Sequence, residues 1–177
     1  MTGVSLAEIV ARSGGQLLTQ APSEIDEVRL SGVSHDSRVA KNGDLFACIS
    51  GEQHDGHLYA TEALLAGASA LLVERELDDA APQVVVPNVR KALGPVAAAI
   101  YGEPSKHLKV VGVTGTAGKT TTTQALAEML HHCGESSSSM GTLDGQRTTP
   151  EAPELQRSFS RLLESGTDWA CMEVSSH

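Results

Sequence analysis

The feature that most constrains the fold of this chain is a glycine-rich segment, Gly115-Thr-Ala-Gly-Lys-Thr120, between two regular stretches. Leu108–Val113 before it has the composition of an apolar strand, and the residues from about Lys119 to His132 are predicted to form a helix. A strand, a glycine turn and a helix that begins with Lys and Thr are the context of a phosphate-binding loop. The segment therefore predicts an α/β domain with a nucleotide site.

The chemistry of this loop follows from its residue types. Glycines allow main-chain N–H groups to turn toward phosphate oxygens. The Lys119 ammonium can reach the β and γ phosphates, the Thr120 hydroxyl can bind Mg²⁺, and the helix N-terminus is electropositive. The longer pattern G-x-x-x-x-G-K-[ST] is not met, because Val113 occupies its first glycine position. The alternative interpretation is a plain glycine-rich turn with an exposed lysine. We favour an ATP site, formed by Gly115, Thr116, Ala117, Gly118, Lys119, Thr120 and Thr121.

A second chemical group ends the last apolar stretch of the chain. Trp169–Glu173 reads as a strand that finishes in a carboxylate. An acid in this position commonly holds Mg²⁺ beside the loop threonine in phosphate-loop enzymes, although an acid after an apolar run is usually only a solvated strand end. With the loop present, we predict Thr120 and Glu173 as metal ligands, and Lys119 and Glu173 as catalytic residues.

The composition limits the partners of the chain. Its 177 residues carry 13 Lys and Arg against 22 Asp and Glu, a net charge of −9, which argues against a nucleic-acid surface. The start has no signal-peptide pattern, and no apolar run approaches the length of a membrane span, so we expect a cytoplasmic protein without a membrane partner. Cys48, Cys133 and Cys171 match no metal or redox spacing and are expected to be buried free thiols. The oligomeric state is left open.

The rest of the pattern predicts two domains. Turn residues over Gly102–His107 separate residues 1–104, a small α/β domain, from residues 105–177, a parallel-sheet domain. A strand of a parallel sheet requires a crossover helix to the next strand, and the second domain stops directly after a strand. We therefore expect that this domain is incomplete and that the chain is the front of a longer protein. Helices are predicted over Ser5–Arg12, Tyr59–Ala66, Val89–Tyr101 and Pro153–Glu164, and strands over Val28–Val33, Asp44–Ser50, Ala70–Val73, Val84–Val86 and Ser137–Met140.

Several segments together resemble one enzyme family. The loop and the helix start that follows it, Val113–Thr123, look like the ATP loop of the Mur ligases and of the related folylpolyglutamate synthetase. Two later segments, Thr148–Gln156 and Met172–His177, resemble the MurE branch of this family. Three earlier segments resemble the part of these ligases that binds the uridine nucleotide. They are Asp36–Arg38, Gly43–Phe46 and Gly51–His57.

The resemblance implies a role in peptidoglycan synthesis, and so in cell-wall biogenesis, cell shape and cell division. Ligases of the MurE type use ATP and Mg²⁺ to add the third peptide residue, meso-diaminopimelate or L-lysine, to UDP-N-acetylmuramoyl-L-alanyl-D-glutamate. The substrate carboxylate first becomes an acyl phosphate, which the incoming amine attacks. The carbamylated lysine, the metal-binding histidine and the third domain of such ligases are absent from this chain, so we expect no ligation by the chain alone.

The resemblance also implies substrate contacts. His35, Ser37 and the stretch Glu52, Gln53 and His54 would face the uridine part, and Arg147, Thr148, Thr149 and Ser175 the muramoyl-peptide part. Without the resemblance, we would interpret Ser37 as a turn cap and Glu52–His54 as a solvated loop. Ala117 stands where the family often has Asn, and Arg147 where relatives can have Asn. The alternatives are a MurF-type ligase, folylpolyglutamate synthetase, or a non-catalytic nucleotide-binding module.

Overall fold

The computed structural model describes residues 3–19, 27–51, 54–79, 81–141 and 148–175. It forms two compact units, Met1–Tyr101 and Gly102–His177. Both units combine helices with parallel strands, which confirms the predicted α/β class. None of the helices within the described ranges is both long and apolar enough to cross a membrane.

The first unit is organised around a mixed sheet. Its order, over the described residues, is β2 (Gln16–Leu18), β7 (Gln83–Val85), β6 (Ala70–Val73), β5 (Asp44–Ala47) and β4 (Gly32–Ser34). Strands β4 to β7 run parallel, and β2 pairs with β7 in the antiparallel direction. The carboxyl ends of the parallel strands therefore meet at one edge, where ligands commonly bind in open α/β sheets.

Among the described residues, the α-helices that accompany this sheet are α1 (Leu6–Ser13), α2 (Ala60–Ala66) and α3 (Val89–Ile100). The predicted cap of α1 is confirmed, since the Ser5 side chain accepts a hydrogen bond from the Glu8 N–H at 3.3 Å. Because aromatic residues are scarce, alanines of α2 pack directly on the sheet. These alanines belong to a buried hydrophobic cluster, which comprises Ala40, Phe46, Cys48, Ala60, Ala63, Ala68, Leu71 and Val73.

The prediction of one strand over Val28–Val33 is wrong. The chain changes partner in the middle: β3 (Arg29–Leu30) pairs with β1 (Val4–Ser5), and the next residues enter the large sheet as β4. The Gly43 carbonyl accepts hydrogen bonds from two successive N–H groups at this break. A side chain at Gly32 would collide with the Asp44 carboxylate, so a glycine is required where the strand resumes.

The second unit combines a parallel sheet with α-helices. Over the described residues its strands are β8 (Lys109–Val113), β9 (Ser137–Met140) and β10 (Trp169–Glu173), in the order β8-β10-β9. Its helices are α4 (Lys119–His132) and α5 (Ala152–Glu164), with bounds close to those predicted. The buried core lies between α5 and the sheet, and consists of Leu108, Phe159, Ala170 and Met172.

The cysteines are free thiols, as expected, but not all are buried. Cys48 and Cys171 are buried, and burial raises the pKa of the Cys48 thiol to about 12. Cys133 is exposed, because it follows the last turn of α4 at the surface, so the expectation of burial is wrong for this residue. Burial of the other two leaves them as small apolar core residues.

Candidate functional sites

The glycine-rich loop connects the end of β8 to the start of α4. Gly118 has φ = +79°, a conformation that favours glycine, and Gly115 has φ = +147°. The N-cap residue of α4 is Gly118, which has no side chain and therefore leaves the first N–H groups of the helix without an acceptor from the cap. Lys119 folds back across the loop and its Nζ donates to the Gly115 carbonyl at 2.7 Å. Thr116, Ala117 and Gly118 are exposed, so the loop is open to a ligand.

Thr120 and Glu173 meet at the carboxyl edge of the second sheet. The Thr120 hydroxyl donates to Glu173 Oε1 at 2.9 Å. Strand β10 lies between β8 and β9, with Glu173 opposite Val113, so the carboxylate stands directly beside the loop strand. Glu173 is only 2% exposed. A buried carboxylate requires hydrogen-bond donors or a cation, and the threonine hydroxyl is one such donor.

A glycine makes room for this carboxylate. Gly141 follows β9, and a Cβ built on it would collide with the Glu173 carboxyl group. Next to the pair lies a small cavity of about 20 Å³, lined by Thr120, Thr123, Gln124, Ser139, Met140, Gly141 and Glu173. Its volume is that of a single water molecule or a bare ion. Sequence reasoning missed Gly141, although a glycine directly after a parallel strand is a recognisable signal.

The predicted peptide-binding residues lie beside the same strand end. The Thr149 hydroxyl accepts a hydrogen bond from the Ser175 N–H at 2.8 Å and lies 3.1 Å from the Ser175 hydroxyl. It also lies 3.4 Å from the Glu173 carbonyl. Thr149 thus ties the segment before α5 to the end of β10, and Thr148 is half-buried beside it. Arg147 lies outside the described residues.

In the first unit, two predicted uridine contacts follow β4. His35 is half-buried and Ser37 is buried in a short 3₁₀ turn. The turn is held by Asp36, whose carboxylate accepts hydrogen bonds from Arg38 Nε at 2.8 Å and Nη2 at 2.6 Å. These bonds hold the pKa of Asp36 at about 2.

The third predicted uridine segment follows β5 at the same edge. His54 is exposed and its carbonyl accepts a hydrogen bond from the Gly51 N–H at 2.9 Å. Glu52 and Gln53 lie outside the described residues. Since β4 and β5 are parallel neighbours, the structure brings the predicted uridine segments that follow these two strands to one sheet edge.

Sequence reasoning also missed a cluster of charged and polar side chains at this edge. Asp55, His57, Glu74 and Arg75 are joined by hydrogen bonds within and between the segments that follow β5 and β6. The Asp55-Gly-His57 tripeptide was noticed only as part of a family pattern. The segment after β6 carried no signal of its own, because Glu-Arg after a strand is an ordinary solvated sequence.

Comparison with known families agrees with both units. The model of the Mur ligase family catalytic domain matches residues 29–101, and the model of the Mur ligase middle domain matches residues 113–177. Together these matches cover most of the chain. The chain belongs to the Mur ligase family.

Individual members of this family are similar to the chain over most of its length. A UDP-N-acetylmuramoyl-L-alanyl-D-glutamate--2,6-diaminopimelate ligase of Syntrophomonas wolfei is 46% identical over 159 residues, which cover 84% of this chain and 32% of the relative. The chain spans about a third of the length of the curated relatives it matches. A solved ligase of the same name is 29% identical with a TM-score of 0.76, covering all of this chain and 37% of that one. MurF from Acinetobacter baumannii is 25% identical with a TM-score of 0.73, covering 98% and 36%.

Proposed function

We propose that this chain provides the UDP-substrate-binding unit and the front of the ATP-binding unit of a cytoplasmic ligase. The ligase adds the third peptide residue, meso-diaminopimelate or L-lysine, to UDP-N-acetylmuramoyl-L-alanyl-D-glutamate. Support comes from relatives that carry this activity in their names and match both units at 38–46% identity. A MurF-type ligase is the second candidate, and its similarity to the chain in sequence is lower.

The observation that carries this proposal is the arrangement of Lys119, Thr120 and Glu173. The ammonium lies across the glycine loop, and the hydroxyl and carboxylate are hydrogen-bonded next to it. Positive charge and main-chain N–H groups suit a polyphosphate. A carboxylate beside them would repel phosphate unless a cation lies between the two. The arrangement therefore favours a nucleotide bound together with a divalent metal ion.

The residues present fit Mg²⁺. This ion usually keeps several waters and uses one or two protein oxygens plus phosphate oxygens, so Thr120 and Glu173 are sufficient protein ligands. Among the described residues, no group of three or more His, Cys, Asp or Glu forms a metal site that would need no nucleotide. Because Gly141 has no side chain, the Glu173 carboxylate can occupy its position beside the loop. When bound, MgATP supplies the phosphoryl group that activates a substrate carboxylate.

The residues of the chain then have separate tasks. Lys119 would neutralise charge on the transferring phosphoryl group, which is the main requirement of such a transfer. Thr148, Thr149 and Ser175 would hold the peptide end of the substrate, since they lie at the same strand end as Glu173. In the first unit, His35, Ser37 and the segment 52–54 would hold the uridine part.

Calorimetry on the 177-residue chain tests this proposal. We expect binding of a non-hydrolysable ATP analogue only with Mg²⁺, and tighter binding of the UDP-muramoyl dipeptide than of the tripeptide that MurF-type ligases extend. No release of phosphate is expected with ATP, dipeptide and diaminopimelate, because the chain covers only about a third of its relatives. Failure of both ligands to bind would refute the proposal, and preference for the tripeptide would favour the MurF type.

A further inference from the structure

Two residues directly after β6, Glu74 and Arg75, contact both ends of the loop that follows β5. The described parts of this loop are Ser50 and Gly51 at one end and the exposed His54 with Asp55 at the other. Its ends pair as an antiparallel bridge, and the Gly56 N–H donates to the Ile49 carbonyl at 2.9 Å. The loop is therefore closed at its base, and the segment after β6 lies against that base.

The first end of the loop is held by Glu74. The Ser50 hydroxyl donates to Glu74 Oε2 at 2.9 Å. The other carboxylate oxygen, Oε1, accepts a hydrogen bond from the Val89 N–H at 2.9 Å. Val89 is the first residue of α3, so the carboxylate that holds Ser50 is itself fixed to the start of a helix.

The second end of the loop is held by Arg75 and His57. Arg75 Nη2 donates to Asp55 Oδ2 at 2.7 Å, and His57 Nδ1 lies 2.6 Å from Asp55 Oδ1. The Glu74 N–H donates to His57 Nε2 at 2.9 Å, so that nitrogen is an acceptor and the ring proton lies on Nδ1, facing Asp55. Arg75 and His57 together hold the pKa of the Asp55 carboxyl well below its usual range.

The burial of these groups differs in an informative way. The His57 side chain is fully buried, while about half of the Arg75 side chain is exposed. His57 therefore belongs to the core, where its replacement would disturb folding. Exposed ion pairs such as Arg75–Asp55 contribute little to global stability. Their contribution to the placement of His54, the neighbour of Asp55, can still be large, because a residue held in place in advance loses less entropy when a ligand binds.

We propose that Glu74 and Arg75 are positioning residues for the uridine part of the substrate, acting by anchoring Ser50 and Asp55, the bridged pair next to His54. The inference rests on the proposed function of the first unit. Neither residue needs to touch the ligand. Each holds one end of a segment whose exposed residue His54 is predicted to do so.

The first test is the dissociation constant of the UDP-muramoyl dipeptide, measured by calorimetry on the whole chain. Ser50→Ala removes the first anchor and spares the Glu74–Val89 contact, and Arg75→Ala removes the second. We expect each to raise the Kd roughly three- to tenfold, with an unchanged melting temperature. Arg75→Lys should restore most of the affinity. Arg12→Ala is the matched control, because it removes an exposed ion pair with Glu8 on α1.

Hydrogen exchange separates the inference from the proposed function. The Gly51 and Gly56 amides should exchange faster in the two anchor variants, and the Cys48 amide, which bonds to the Leu72 carbonyl in the sheet, should not. Faster exchange with an unchanged Kd would overturn the inference alone. A weaker Kd that follows a fall in melting temperature would also overturn it, in favour of a purely structural role. Absence of dipeptide binding by the unaltered chain would overturn the proposed function and the inference together.

Discussion

The Thr120 hydroxyl donates a hydrogen bond to the buried Glu173 carboxylate at 2.9 Å, across 53 positions of the chain. Thr120 is the second residue of α4 and Glu173 is the last residue of β10, and they meet because β10 lies next to β8. The pair joins the glycine loop to a carboxylate that lines the small cavity beside it. Three of the predictions below concern this pair and its surroundings, and a fourth concerns Asp36 in the first unit.

Replacing Lys119 by Ala should weaken MgATP-analogue binding by roughly ten- to hundredfold, because charge-assisted hydrogen bonds to the phosphates are lost. Affinity for the UDP-muramoyl dipeptide should stay within about twofold, since its uridine contacts are predicted in the other unit. Calorimetry with each ligand measures both effects. Lys106→Ala, which removes an exposed lysine paired with Glu103, is the control. An equal loss for both ligands would contradict the assignment of the two sites.

Replacing Thr120 by Val should abolish the dependence of nucleotide binding on Mg²⁺. It also takes a donor from the buried Glu173 carboxylate, which should lower the free energy of unfolding by about 1–3 kcal/mol. Thr120→Ser keeps the hydroxyl and should retain both properties. Nucleotide titrations with and without Mg²⁺, together with urea denaturation, measure the two effects. A valine variant that still responds to Mg²⁺ would exclude Thr120 as a metal ligand.

Replacing Gly141 by Ala should displace the Glu173 carboxylate, because the new methyl group occupies its position. We expect a loss of about 1–3 kcal/mol in the free energy of unfolding, the usual cost of overpacking. Gly94→Ala is the matched control, since Gly94 lies inside α3 with open space around its Cβ position. That change should stabilise the chain by about 0.5–1 kcal/mol. Denaturant midpoints of the two variants moving in the same direction would contradict the role of Gly141.

The Asp36 carboxyl should titrate at about pH 2 in the folded chain, against an ordinary value of 3.8. Since the folded-state pKa is the lower one, the Asp36–Arg38 pair stabilises the fold fully above about pH 4, and this contribution is lost as the pH falls toward 2. The pair is largely exposed, so its contribution to the free energy of unfolding is small. Carboxyl-carbon NMR titration measures the pKa directly. In Arg38→Ala the pKa should return close to 3.8, and an unchanged pKa would show that the main-chain N–H of residue 38 is sufficient.

Local structure was largely predictable because it depends on neighbouring residues. The α4 helix, the β10 strand and the cap at Ser5 follow from periodicity, apolar runs and capping chemistry, which act over a few positions. The glycine loop was recognisable for the same reason. The strand prediction over Val28–Val33 was wrong because the switch of partner at residue 31 depends on distant strands, β1 and β5.

The sequence by itself determined the residue types of the site: a lysine and a threonine after a glycine turn, and a glutamate at the end of an apolar strand. Only the tertiary structure decided that β10 lies between β8 and β9, which places Glu173 beside Thr120 and against Gly141. It likewise decided that Glu74 and Arg75 meet the loop after β5. Strand order is set by how buried faces pack, and this long-range property leaves no local pattern in the residues that it brings together.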